Sequence, residues 1–353
     1  MITALAIIFV FGLMILGHEF GHFAVAKLSG VKVLEFSFGF GPKLMGHQGP
    51  ETLYSLRLFP LGGFVKLSGM DAETDEQGNT VIVASDDPRS FVNKPVWQRM
   101  ATFAAGPLMN FVLAAVLFVI VFTAMGYPTV DEGNVIGVVM DGMPAQQAGL
   151  QVEDRILQVN GQTTADWSQL TAAIHAKPEQ ELNVLVARGD QEFSLSIVTQ
   201  RDAQQGVGLI GIQPGTLYQK VSVWQAVQYG CQDTLAFTRM IVVILFQMIT
   251  GQASLDGVGG PLMIGQAVNE AVHTGFVSLL KLTAVISIQL GLLNLFPIPA
   301  LDGSHIVFLL LEAVRGKPIK PERENLIHLT GFALLMLLAV FVTYHDIVRL
   351  LTN

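Results

Sequence analysis

Long apolar runs broken by short polar clusters dominate the chain. Residues 2–16 are almost wholly apolar, give way to Gly17-His18-Glu19-Phe20-Gly21-His22, and continue as an apolar run over 23–28. Residues 96–125, 276–296 and 326–351 are the other stretches long enough for a spanning helix, which needs about 20 mostly apolar residues. A fifth stretch, 234–251, is uninterrupted only over 240–246, with Arg239 before that core and Gln247 after it. It reads as an amphipathic helix lying along the interface. The first run has no basic segment ahead of it and no small-residue cleavage pattern behind it, so it is expected to be retained as a span.

Charge in the connections orients these spans. Lys27, Lys32, Lys43, Arg57 and Lys66 follow the first, and Arg315, Lys317, Lys320 and Arg323 follow the third. With four spans both basic loops fall on one side, which the positive-inside rule makes cytoplasmic; both termini and 127–275 then lie outside. Within the first loop, 53–58 and 63–67 read as strands flanking Pro60-Leu61-Gly62, a hairpin, followed by an acidic solvated loop over 71–87. Outside, strand-like 135–139, a short helix at 144–150, a strand into Asn160-Gly161, a helix at 167–176 and a hairpin over 182–198 follow one another. That order resembles the PDZ domains of bacterial envelope proteases, in one copy.

The expected architecture is thus a polytopic α-helical membrane protein of four transmembrane helices, with a membrane-associated β-hairpin and one extracytoplasmic PDZ domain of α+β class. The expected limits are 1–28 for the first span, 29–95 for the loop with hairpin 53–67, and 96–126 for the second span. The PDZ-like domain takes 127–202, a linker with the interfacial helix 203–275, the third span 276–314, a loop 315–325 and the last span 326–353.

Composition narrows the chemistry. Of 353 residues, 51% are hydrophobic and 14% charged, well below the roughly 25% charge of soluble chains. A net charge of −8 argues against a nucleic-acid partner, which needs clustered cations. The single cysteine, Cys231, excludes an intramolecular disulfide and a cysteine zinc cluster, so a metal must rest on His, Asp or Glu.

His18-Glu19-Phe20-Gly21-His22 is an H-E-x-x-H pattern on an expected helix. Residues four apart share a helix face, so His18 and His22 can hold one ion, with Glu19 beside them to take a proton from water. Two imidazoles with a carboxylate suit Zn²⁺. Ionisable groups inside a spanning helix are expensive without partners, which favours function over coincidence. Asp302, in Asn294-Leu295-Phe296-Pro297-Ile298-Pro299-Ala300-Leu301-Asp302-Gly303, is the candidate third ligand, because Pro297 and Pro299 break the third span there. His18 lies roughly 25 Å along the first span and Pro297 roughly 30 Å along the third, so the two motifs reach similar depth. His47, His175, His273 and His328 read as surface residues, and His305 as a packing or supporting residue near Asp302.

HEFGH together with NLFPIPALDG resembles the zinc helix and the Asp-bearing motif of the site-2 protease family of intramembrane metalloproteases. Gly106-Pro107-Leu108-Met109-Asn110-Phe111, Phe38-Gly39-Phe40-Gly41-Pro42 and Gly259-Gly260-Pro261 extend the resemblance along the chain. It implies that His18, His22 and Asp302 bind zinc, that Glu19 is the catalytic base, and that Asn294 contacts substrate or transition state. It implies proteolysis within transmembrane segments of membrane proteins, such as anti-sigma factors and remnant signal peptides, in a bacterial inner membrane, with the PDZ domain and both termini periplasmic. Gram-negative members commonly carry two PDZ domains; this chain has one. The strand edges around Gly62 and Gly63, with Asn294, Pro297 and Pro299 opposite, are expected to hold an unwound substrate. Two roles stay open for the PDZ domain, capture of a substrate C-terminus and exclusion of bulky partners. A zinc or cation transporter and an inactive PDZ scaffold are the alternatives; the chain shows neither the paired repeats of the first nor a missing catalytic residue as the second requires.

Overall fold

The first two apolar runs form helices where expected, α1 (Ile2–Leu28) and α2 (Val96–Met125). The structure, a computed structural model, describes residues 2–70, 72–74, 80–82, 87–131, 133–202, 206–252 and 259–352. It divides into two compact units, Met1–Val121 with Val223–Asn353, and Phe122–Ser222. A Cβ on Gly21 would lie 2.3 Å from the Ala105 carbonyl oxygen, so α1 and α2 meet backbone to backbone, as small residues permit in lipid.

Strands β1 (Val33–Gln48) and β2 (Leu53–Leu67) fill the loop between them. Glu35 to Phe38 pair with Lys66 to Gly63 on one side and, running in step, with Leu53 to Leu56 on the other. Leu53 to Arg57 pair in turn with Gln48 to Lys43. The hairpin expected within 53–67 is therefore corrected: its two halves do not pair with each other but flank residues 35–38. Gly39 and Gly41 take positive φ values of 90° and 84°, which lets β1 turn away after its first half. Sequence patterning read this glycine-rich stretch as a motif and missed its pairing. Within the expected acidic loop, β3 (Ala72–Thr74) and β4 (Thr80–Ile82) pair antiparallel, while most of that loop lies outside the described residues.

In the second unit β5 (Tyr127–Val130) and β6 (Ile136–Val139) precede α3 (Pro144–Gln147), β7 (Arg155–Val159), β8 (Gln162–Thr163) and α4 (Trp167–His175). Then come β9 (Glu181–Arg188), β10 (Gln191–Val198), β11 (Gln200–Arg201), β12 (Gly208–Leu209), β13 (Ile212–Pro214) and β14 (Thr216–Gln219). The main sheet has the order β10-β9-β7-β8. Leu182, Val184 and Val186 alternate inward from β9 onto Ile156, Leu170 and Ile197. Each such buried side chain contributes about 1.5–3 kcal/mol. The unit runs past the expected limit at 202: Ile210 joins this core, β13 pairs with β6, and β14 with β5. Strands of two to four residues are too short to show an alternation in sequence.

Returning to the first unit, α5 (Val223–Ile249) precedes α6 (Pro261–Thr274), α7 (Phe276–Leu295), α8 (Asp302–Arg315) and α9 (Pro321–Thr352). Among the described residues five helices, α1, α2, α5, α7 and α9, are long and apolar enough to cross a membrane. α5 starts eleven residues earlier than the expected interfacial helix and has the lowest mean hydropathy of the five, 1.4. Ala6, Val10 and Met14 on one face of α1 pack with Val268 and Ala271 of α6 and Leu279 and Ile286 of α7.

Candidate metal centre

Helical spacing brings His18 and His22 together on α1, with Nε2 atoms 3.1 Å apart. Asp302, the first residue of α8, places its Oδ2 3.1 Å from His18 Nε2 and 3.5 Å from His22 Nε2. The chain turns through Pro297 and Pro299 to bring it there, and Ala300 takes a φ of 77°, unusual for a residue with a Cβ. Gly303 closes the turn: a Cβ there would sit 2.2 Å from the Phe296 carbonyl oxygen.

These three donors fit a zinc ion. Tetrahedral bonds of about 2.0–2.1 Å require donors roughly 3.3 Å apart, which the three separations bracket. His22 Nδ1 donates to the Thr102 carbonyl oxygen at 2.7 Å, leaving the Nε2 lone pair for the ion. A Cβ on Gly106 would lie 2.2 Å from His22 Nε2, so the α2 glycine makes room for the ring. The Asn110 amide lies 3.2 Å from His18 Nδ1, and its buried Oδ1 makes no hydrogen bond among the described residues.

Glu19 faces a cavity of about 220 Å³ lined also by Ile15, His18, Phe40, Gly62, Gly63, Leu290 and Asn294. A Cβ on Gly63 would meet Glu19 Cγ at 3.0 Å and the Ser37 carbonyl oxygen at 2.9 Å. Backbone thus reaches the glutamate where no side chain fits. Of the residues singled out in sequence, His18, Glu19, His22, Asp302, Asn294, Gly62 and Gly63 meet here. Pro297 and Pro299 shape the turn and do not line the cavity. Thr102 was missed, and Gly106 and Asn110, quoted in sequence as part of a motif, were given no role at this site; the polar Asn110 inside an apolar helix was the available signal. His328, expected at the surface, accepts a hydrogen bond from the Ala300 N–H at 3.0 Å.

Two histidines one turn apart on an apolar helix, a glutamate between them and a converging aspartate have the donor set that a zinc metalloprotease requires, here among helices long and apolar enough to cross a membrane. The chain belongs to peptidase family M50, whose model matches residues 6–338. It is 35% identical over 429 residues to "Zinc metalloprotease RasP" of Oceanobacillus iheyensis, covering 99% of this chain and 100% of that one. It is 32% identical to "Regulator of sigma-W protease RasP" of Bacillus subtilis, covering 99% of each. The PDZ domain of an SdrC-like protein from Listeria monocytogenes matches 24% of this chain and 90% of its own length, at 22% identity and a TM-score of 0.22. The chain is an intramembrane zinc metalloprotease.

Proposed function

We propose that His18, His22 and Asp302 hold the zinc ion and that Glu19 is the general base for hydrolysis of peptide bonds in transmembrane segments of other proteins. The observation that carries this is the meeting of His18 and His22 with Asp302 at zinc-like separations, across 284 residues of sequence. A zinc ion held there supplies Lewis acidity, polarising a carbonyl and acidifying water. Glu19 takes the proton from the attacking water and passes it to the leaving nitrogen. Asn294 offers amide donors and acceptors to an extended substrate from one side of the cavity. The 63–65 segment of β2 offers strand edge from the other, since among the described residues it pairs on one side only. Pro297 and Pro299 set the broken backbone that presents Asn294 and Asp302.

The substrates are membrane-spanning proteins of anti-sigma-factor type, a class suggested by the sigma-W regulator among the relatives. The protease sits in the bacterial cytoplasmic membrane with four spans, α1, α2, α7 and α9, and with α5 along the interface. The PDZ-like unit and both termini then face the outer side. There the unit filters partners by the size of their outer domains; binding of substrate C-termini is its other reading.

Purified protein in detergent is expected to cleave a single-span model substrate, and Glu19→Gln to lose that cleavage while keeping its zinc. Equal cleavage by both would move the chemistry away from Glu19, and cleavage by neither would reopen the transporter and scaffold readings.

A further inference from the structure

The turn that delivers Asp302 is built against its own sequence at one position. The Leu301 N–H donates to the Ile298 carbonyl oxygen at 3.1 Å, closing a four-residue turn over 298–301. Pro299 holds its second place, and Ala300, with a φ of 77°, its third. That is the type II pattern, whose third place calls for a positive φ and so for glycine. Here the residue carries a Cβ, and the conformation needs support from outside. Turning the Pro299–Ala300 peptide over would give the type I form, in which alanine is at ease.

The support comes from α9. The turn's own bond uses the Leu301 N–H and leaves that of Ala300 to donate to His328 Nδ1 at 3.0 Å. The neutral ring must then carry its proton on Nε2, the nitrogen 3.8 Å from Glu324 Oε1. Gly331, three residues on and on the same face of α9, lets the helix come this close. A Cβ there would lie 2.3 Å from Pro299 Cβ and 2.7 Å from the Pro299 carbonyl oxygen.

The accepting ring is itself fixed. It stacks on His305 at 4.3 Å and 26°, His305 stacks in turn on Phe103 at 4.4 Å and 6°, and Phe308 meets the His328 ring edge-on at 5.4 Å. An acceptor held this way fixes the plane of the Pro299–Ala300 peptide. Flipped, that peptide would aim the Pro299 carbonyl at the His328 lone pair, acceptor against acceptor. The two forms of the turn share a chain path only approximately, and Asp302 stands two residues further on. Ligands of a functional site must be placed within about 0.5 Å.

We infer that His328 is a positioning residue for the metal centre: by accepting the Ala300 N–H it holds the turn in its type II form and so sets Asp302. The inference rests on the reading of Asp302 as a ligand of the ion.

Zinc affinity is measured by chelator competition on the full chain in detergent, with cleavage of the single-span substrate followed alongside. His328→Leu keeps much of the bulk but offers no acceptor, and is expected to weaken zinc binding about tenfold or more, with cleavage falling in parallel at limiting zinc. His328→Asn puts an amide oxygen where Nδ1 stands and is expected to stay near the wild-type value, although it loses the stacked ring. Ala300→Gly, added to His328→Leu, is expected to restore most of the lost affinity, because glycine takes the positive φ unaided. Wild-type affinity in His328→Leu overturns the inference, as do equal losses in the Asn and Leu proteins, which would make the ring and not its acceptor the important part. A double variant no better than His328→Leu overturns it too. Asp302→Ala tests the reading beneath it: zinc affinity unchanged there removes Asp302 from the ion. A large loss there with none in His328→Leu keeps Asp302 as a ligand and removes only the role of His328.

Discussion

His18 and His22 differ in how their far nitrogens are held, and the difference is testable. His22 Nδ1 donates to a backbone carbonyl that no substitution removes. Among the described residues His18 Nδ1 meets the Asn110 amide, whose two ends are nearly isosteric; turned so that Oδ1 faces the ring, the amide accepts the Nδ1–H and gives that oxygen a partner. That tautomer leaves His18 Nε2 free for the ion. Asn110→Leu is therefore expected to weaken zinc binding about 10–100-fold in chelator competition. Asn110→Asp, which keeps an acceptor, should hold it near the wild-type value. Equal affinities in the Asn110→Leu and wild-type proteins would mean that the amide only packs. The sequence displayed His18, Glu19 and His22 as a local pattern, whereas Asn110 and Thr102 act across 92 and 80 residues and leave no local spacing to read.

Among the elements, the β1–β2 ladder carries the site's least legible part. Local alternation marked 53–58 and 63–67 as strands, but their partner, 35–38, is set by a tertiary path through Gly39 and Gly41. The short strands over 208–219 escaped for a different reason, having too few residues to alternate. Gly63 is where this ladder meets Glu19, and Gly63→Ala forces β2 or the glutamate to shift. Cleavage efficiency is expected to fall roughly 10–100-fold with zinc content unchanged, as small displacements at a reacting centre do. Activity at the wild-type level would show that strand position does not govern Glu19. In the PDZ-like unit, burial pushes the Asp154 carboxyl up, but bonds from Arg188 at 2.7 Å and from the Gln151 N–H outweigh it and hold the group below the usual carboxylate range. A depressed folded value stabilises above the unfolded value, about 3.9, and the benefit drains away as pH falls through the folded one. Hydrogen-exchange protection of β9 in the intact protein should be level down to about pH 4 and decline below it. Asp154→Asn should lower protection at neutral pH roughly tenfold and flatten that decline.

At the scale of the whole molecule, the number of spans is constrained by the site itself. Phe9 near the start of α1 packs against Phe276 at the start of α7, and Ile15 shares a cavity wall with Leu290 further along both. The two helices therefore run the same way. An even number of crossings must lie between α1 and α7 in the count that starts after α1 and ends on α7. With α2 and α7 alone this holds; a crossing by α5 would reverse α7 unless α6 crossed back. α6 has 14 residues, roughly 21 Å of helix, too short for a hydrocarbon core of about 30 Å. Reversal would carry Asp302 to the end of α1 opposite His18, roughly 24 Å away along the helix. This parity supports the proposed reading of α5 as an interfacial helix despite its adequate length, and on that reading the 43–66 and 315–323 loops share one side. Single cysteines at Lys43 and Lys317, both exposed, in a Cys231→Ser background should both resist a membrane-impermeant maleimide in intact cells and both react once the membrane is opened. Labelling of one but not the other in intact cells would make α5 a fifth span, and the shared depth of His18 and Asp302 would then need another explanation.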